Sequence, residues 1–267
     1  MDLITSRTNP KIKQIRALRQ VKERRLSGLF LVEGIRHVGE AVEASQASMG
    51  ITVESIVFAP EQLDSSFARN LVEIERLRGT PCLPVSEQVL ESLTDKENPQ
   101  GILAAVRTTR KNLLDLNPAN FSWGVALVAP QDPGNVGTIL RTIDAVGASG
   151  LVLLDGGVDP YHPNSVRASM GAMFWYPLIS ASFSEFTHWV REHGYHVYGT
   201  SAHAEVEYRT GVQYKRPMIL LLGSERQGLS PEQAAICEVM LHLPMKGRTT
   251  SLNLAVAAGV MLYQMSV

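Results

Sequence analysis

The chain is 267 residues long, room for one large or two medium domains, and 45% of it is apolar against 19% charged, the balance of a globular protein with a sizeable core. The opening MDLITSRTNPKIKQ has no apolar secretory core and no apolar run reaches membrane-spanning length, so a cytoplasmic protein off the membrane is expected. Cys82 and Cys237 make neither a CxxC nor a His-containing pattern, and the histidines lack ligand spacing; both thiols read as buried hydrophobes and no metal is expected.

In chain order, Pro10 suits a first helical turn, and Ile12, Ile15, Leu18, Val21 and Leu26 recur after it at helical spacing. The net charge of −1 hides a basic stretch, for Arg7, Lys11, Lys13, Arg16, Arg19, Lys22, Arg24 and Arg25 face a single acid, Glu23. Such a run is a solvated helix face or a surface for nucleic-acid phosphates, and charge alone weighs the two about equally. Apolar runs then alternate with helical patterns: LFLV (29–32), a helix over 36–45, SIVFA (55–59), a helix through 68–77, CLPV (82–85) and GILAAV (101–106). The alternation predicts an α/β domain. The polar stretch RTTRKNLLDLNPAN (107–120) ends in Asn-Pro and reads as a connection. The expected division is a front domain over 1–108, a linker over 109–120 and a second domain over 121–267.

The second domain restarts with GVALVAP (124–130), the turn QDPGNVG and the helix TILRTIDAVGA, followed by the strand GLVLLD (150–155). Further strand signals are YPLIS (176–180), YHVYGTS (195–201), MILLLG (218–223) and VMLHLP (239–244). Between them lie helical patterns at 184–194, 230–238 and 251–265. Near-continuous apolar strands separated by helices predict a parallel sheet covered on both faces. Ligands of such sheets sit outside the carboxyl ends of the strands, where the loops after Pro130, Leu222 and Pro244 begin.

Familiar motifs are missing. There is no GxxxxGK[ST] phosphate loop, Gly134-Asn135-Val136-Gly137 does not make GxGxxG, and no GxSxG elbow occurs. Polar residues instead cluster at three strand ends: Asn135 and Arg141 in the first helix, Glu225 beyond an apolar strand, Ser251 and Asn253 before an Ala-rich helix. Taken singly, Ser251 reads as an N-cap, Asn135 as a turn or cap residue, and Gly223, Gly228 and Gly247 as turn formers. Taken together they mark a site.

These motifs resemble the SpoU (TrmH-type) family of S-adenosylmethionine-dependent RNA 2′-O-ribose methyltransferases. Asn135, Gly137 and Arg141 match its N-x-G-x-x-x-R; Gly223, Glu225 and Gly228 match Gly-x-Glu-x-x-Gly; Pro244, Met245, Gly247, Ser251, Leu252 and Asn253 complete P-M-x-G-x-x-x-S-L-N. VRASMGAMF (166–174) and GTSAHA (199–204) also look like the family, and all stand in family order. The resemblance implies an α/β catalytic domain whose C-terminal segment is threaded as a deep trefoil knot. It implies a cofactor pocket lined by Gly223, Leu243, Met245 and Leu252, with Thr200 nearby. It points to Arg141 as the group at the reacting hydroxyl, either as proton acceptor or as an orienting cation. Asn135, Ser251 and Asn253 would position it, and Glu225 would buttress the loops or bind Arg141. The front domain is similar to substrate-binding domains related to kink-turn-binding ribosomal proteins. That implies ribosomal RNA, 23S foremost, as substrate, with Arg16, Arg19, Arg24 and Arg25 on its phosphates. The alternatives are tRNA methylation or a non-catalytic RNA-binding protein of the same fold. Pairing into a homodimer through the knot region is implied as well, and the apolar segment Leu254–Val267 suits a covered helix.

Overall fold

The computed structural model describes residues 2–94, 99–109 and 111–267; Arg110, inside the expected linker, lies outside them. The first helix, α1 (Pro10–Ala17), starts where Asn9 accepts from the Lys11 amide and Pro10 sets the first helical φ. Apolar spacing continues past Leu18, but the backbone turns there and a second helix, α2 (Val21–Ser27), begins. Ile12, Ile15 and Leu18 are buried, whereas Val21 and Leu26 (72% exposed) are not, which corrects the expected stripe. The inward position on α2 belongs to Arg24, only 5% exposed, whose guanidinium donates to the carbonyls of Leu18 and Arg19 at 2.8 Å each. Those carbonyls are the unsatisfied end of α1, so the cation closes a helix terminus instead of facing a phosphate.

The elements that follow are β1 (Leu29–Glu33), α3 (Ile35–Gln46), β2 (Ile51–Phe58), α4 (Ser66–Leu77), β3 (Cys82–Pro84), α5 (Glu87–Glu91), β4 (Ile102–Thr108), β5 (Trp123–Val128), α6 (Pro133–Val146), β6 (Gly150–Leu154), α7 (Pro163–Ala168), β7 (Leu178–Ala181), α8 (Phe183–Glu192), β8 (His196–Thr200), β9 (Val206–Glu207), β10 (Met218–Leu222), α9 (Pro231–Ala234), β11 (Val239–His242) and α10 (Leu254–Met265). They divide into two compact units, Met1–Thr109 with Tyr161–Trp175, and Arg110–Pro160 with Tyr176–Val267.

The first unit is a four-stranded sheet in the order β1-β4-β2-β3, with β4 antiparallel to both β1 and β2. Ile12, Ile15 and Leu18 pack with Leu31, Val57, Leu83 and Leu103 of this sheet, so the N-terminal helix is part of its core. Sequence order alone did not assign Tyr161–Trp175 here. Tyr161 stacks on Phe30 at 4.7 Å, Phe174 lies 6.4 Å from the same ring, and Trp175 Nε1 donates to Glu40 at 3.1 Å.

In the second unit seven strands follow the order β7-β6-β5-β10-β8-β11-β9, and every neighbouring pair is parallel. β5, β6 and β10 are buried at every position, as continuous apolar runs demand of strands covered on both faces. One face carries α8, whose Phe186 and Trp189 pack with Ala126, Val152, Ile219 and Leu221; α6 and α10, packed on each other, touch β6 and β10. Leu113 and Leu116, from the stretch read as a linker, are buried in this same core, and the Leu116 carbonyl accepts from Trp189 Nε1 at 3.0 Å.

Candidate active site

The strand order reverses beside β5: β6 and β7 lie to one side, the later strands to the other. Such a switch point, beyond the carboxyl ends of β5 and β10, is the place where open parallel sheets hold ligands. Ala129 ends β5 in the left-handed region (φ 42°), turning the chain towards α6. Asp132, not Asn135, caps that helix, accepting from the Gly134 amide at 2.7 Å, with Pro133 next in line. Asn135 therefore sits within the first turn, and it is only 7% exposed.

A buried carboxamide needs partners for both its ends, and Asn135 finds them on two distant loops. Its Nδ2 donates to Glu225 Oε1 at 3.1 Å, and its Oδ1 accepts from Asn253 Nδ2 at 2.9 Å. Glu225 Oε2 also accepts the Gln131 backbone N–H at 3.1 Å. Asn253 Oδ1 caps α10, accepting from the amides of Ala255 at 2.9 Å and Val256 at 3.3 Å. One hydrogen-bonded chain thus ties the ends of β5, β10 and β11 to two helix starts. Glu225 serves the loops in this chain, and no hydrogen bond among the described residues joins it to Arg141.

Arg141 lies on the exposed face of α6, with no hydrogen bond or ion pair to a described residue, leaving its guanidinium open to a substrate. Ser251 is not the cap of α10; it is exposed two residues before Asn253, and its carbonyl accepts from Thr249 Oγ1 at 2.8 Å. Gly223 follows β10 where the loop doubles back on itself. A Cβ there would stand 2.0 Å from the Gly228 carbonyl carbon and 2.4 Å from the Leu229 amide nitrogen. Only glycine permits that closeness.

Parallel pairing sets β10 beside β8 and β8 beside β11, so Thr200 at the end of β8 lies between the strands whose following loops carry Gly223 and Leu243 with Met245. Leu252, at the end of the loop that leaves β11, is partly exposed. His242, which precedes Leu243, keeps Nδ1 buried with no hydrogen-bond partner among the described residues. A buried acceptor or donor left without a protein partner is the kind of group that water or a ligand satisfies. The sequence reading missed His242 and Gln131. His242 looks like any strand residue, and Gln131 acts through its backbone alone. Cys237, packed beside Gly199, has its thiol pushed up to about 12 by burial, so it is no nucleophile. No group of His, Cys, Asp and Glu among the described residues could hold a metal ion. No helix there is long and apolar enough to cross a membrane.

Of the four arginines expected on phosphates, Arg24 is turned inward as described above. Arg16 is partly engaged as well, its guanidinium donating to Ser92 Oγ at 2.6 Å and to the carbonyls of Ser92 and Arg7 at 3.2 Å each. Arg19 is half-buried and Arg25 exposed, alongside exposed Lys11, Lys13 and Lys22.

A parallel α/β sheet with a glycine-shaped loop and a polar chain at its switch point is the arrangement of a ligand-binding α/β domain. The chain belongs to the SpoU rRNA Methylase family, which it matches over residues 122–263, and residues 9–104 match the MRM3-like substrate binding domain. It is 33% identical to the 23S rRNA (uridine(2479)-2′-O)-methyltransferase of Streptomyces viridochromogenes, over 98% of this chain and 90% of that protein. It is 29% identical to the 23S rRNA (guanosine(2553)-2′-O)-methyltransferase RlmP of Bacillus subtilis, over 99% of each. Its fold is similar to the AdoMet-bound rRNA methyltransferase of Sinorhizobium meliloti, with a TM-score of 0.88, 36% identity and coverage of 99% of this chain and 97% of that one.

Proposed function

We propose that this chain transfers a methyl group from S-adenosylmethionine to a ribose 2′-hydroxyl of ribosomal RNA, with 23S RNA as the substrate. The observation that carries the reading is the chain Gln131–Glu225–Asn135–Asn253, which locks the three family motifs into one crevice. Gly223, Leu243, Met245 and Leu252, with Thr200, are the residues that would hold the cofactor. When bound, it supplies an electrophilic methyl group.

Asn135 and Asn253 act by fixing the loops, and Glu225 fixes the start of α6 against β10. Arg141 is the group left free to meet the nucleotide. A guanidinium is a planar cation with paired N–H donors that suit a phosphate, so its step is to hold the adjoining phosphate and align the hydroxyl. Alignment of two reactants can supply much of an enzyme's acceleration. Ser251, exposed beside this crevice, contacts the same nucleotide.

The front unit delivers the RNA, with Lys11, Lys13, Lys22 and Arg25 as exposed cations on its N-terminal helices. The protein works in the cytoplasm as a homodimer. Support for pairing comes from α10, where Val256, Val260 and Tyr263 form an exposed apolar stripe at helical spacing. The trefoil thread of the C-terminal segment belongs to the same reading.

The test is transfer of tritium from labelled cofactor to unmodified 23S RNA, followed by alkaline hydrolysis. The label is expected in alkali-resistant linkages, because a 2′-O-methyl blocks cleavage. Label in DNA, or in alkali-sensitive linkages, overturns the ribose assignment. Label in tRNA but not in 23S RNA overturns the substrate.

A further inference from the structure

The first unit contains a hollow of about 360 Å³, lined by Ile35, Arg36, Gly39, Glu40 and Glu43 of α3, Phe67 of α4, and Gln100. Arg36, Glu40 and Glu43 recur at i, i+4 and i+7, which puts all three on one helix face. The opposite wall is the ring of Phe67, which is 52% exposed although Leu71, one turn on, is buried. Gly39 shapes the space between them: a Cβ there would lie 3.1 Å from Phe67 Cζ, so any larger residue would displace the ring. Glu40 holds one oxygen on Trp175 Nε1. Neither the Arg36 guanidinium nor the Glu43 carboxylate has a hydrogen bond or ion pair with a described residue. An exposed aromatic ring, a free cation and a free carboxylate thus meet around one concavity of ligand size, a range of roughly 300–1,000 Å³.

We propose that this hollow takes one unstacked base of the RNA substrate. The inference rests on the reading of this chain as an RNA methyltransferase. Bases pulled out of a stack find a substitute in aromatic side chains, and Phe67 is an exposed ring on the wall of the hollow. A carboxylate accepts hydrogen bonds from exocyclic amino groups, so Glu43 selects an amino-bearing base. Arg36 at the rim meets the adjoining phosphate. The two carboxylates repel phosphate from the hollow, so a base enters it while the backbone stays at the rim beside Arg36.

Phe67 is exposed enough to be replaced without unfolding the unit, and melting curves of each variant check this. Binding of Phe67→Ala to unmodified 23S RNA transcript is expected to weaken by about 5- to 100-fold, the range of one lost base stack. Cofactor affinity and the rate at saturating RNA should stay at wild-type values. Phe67→Trp should retain affinity, and its added fluorescence should be quenched by the RNA. Phe67→Leu should behave like Phe67→Ala. Wild-type affinity of Phe67→Ala, or an unquenched Trp at saturating RNA, overturns the proposal. A Phe67→Leu variant that binds normally overturns it too, because the wall would then be a plain apolar contact of the kind a protein partner uses. Methyl transfer by the wild type is measured on the same transcript: its absence sinks the methyltransferase reading, whereas the Phe67 series judges only the hollow.

Discussion

The carboxamide of Asn253 donates to Asn135 Oδ1 at 2.9 Å, joining residues 118 positions apart in the chain. Through Asn135 the link reaches Glu225 and the Gln131 amide, so the third family motif is held to the first and the first to the second. Asn253 has a local duty as well: the atom not bonded to Asn135 caps α10.

Replacing Asn135 with Ala removes the buried member of the chain and leaves Glu225 and the Asn253 amide, both exposed, without their shared partner. A loss of about 0.5–1.5 kcal/mol in stability is expected, the usual net contribution of an intramolecular hydrogen bond whose remaining partners can turn to water. Chemical denaturation should show it, together with weakened cofactor binding by calorimetry. Unchanged stability and unchanged cofactor affinity would contradict the bracing role.

Arg141→Ala should leave the fold intact, since the side chain is exposed and holds no described partner. Methyl transfer should fall by about 10²–10⁴-fold, the range for loss of one positioned catalytic group. Cofactor affinity should not move. A melting temperature that drops with activity would show that Arg141 is structural instead.

Gly223→Ala places a methyl group 2.0 Å from the Gly228 carbonyl carbon, a distance no relaxation of a side chain can relieve. The loop must open, so cofactor binding should be lost while the first unit is untouched. Calorimetric titration with the cofactor checks this, and full retention of affinity would show that the loop does not shape the pocket.

The basic segment separates into two groups. Arg24→Ala should destabilise the protein by about 1–3 kcal/mol, because two carbonyls at the end of α1 lose their donor. Joint replacement of Lys11, Lys13, Lys22 and Arg25 by Ala should leave stability alone and weaken RNA binding. Each lost phosphate contact should flatten the log–log salt dependence by roughly 0.7–0.9. An unchanged slope would make these cations a solvated face.

Val260→Glu puts a charge in the middle of the exposed stripe of α10. Sedimentation is expected to show a dimer for the wild type and a 29.3 kDa monomer for the variant. A wild-type protein that sediments as a monomer at micromolar concentration removes the pairing.

Much of this architecture is legible in the residues themselves. Runs such as ALV and ILLL can satisfy their apolar side chains only between two covered faces, so the parallel sheet follows from composition and spacing. Motif order marks the candidate positions, because Asn135, Glu225 and Asn253 stand in the loops and helix starts that follow β5, β10 and β11. Helical spacing could not show that the N-terminal helix breaks after Leu18, for the periodicity runs on through Val21 while the chain turns. Nor could charge reveal that Arg24 points inward, since a guanidinium and a helix end become partners only when packed together. Tyr161–Trp175 lies among the motifs of the second half yet folds onto Phe30 and Glu40 of the first unit. The sequence by itself determined which residues seek burial and which strand ends carry polar groups. Which polar group answers which was decided by the tertiary structure, because hydrogen bonds as long-range as Asn135–Asn253 exist only once the sheet has set its strand order.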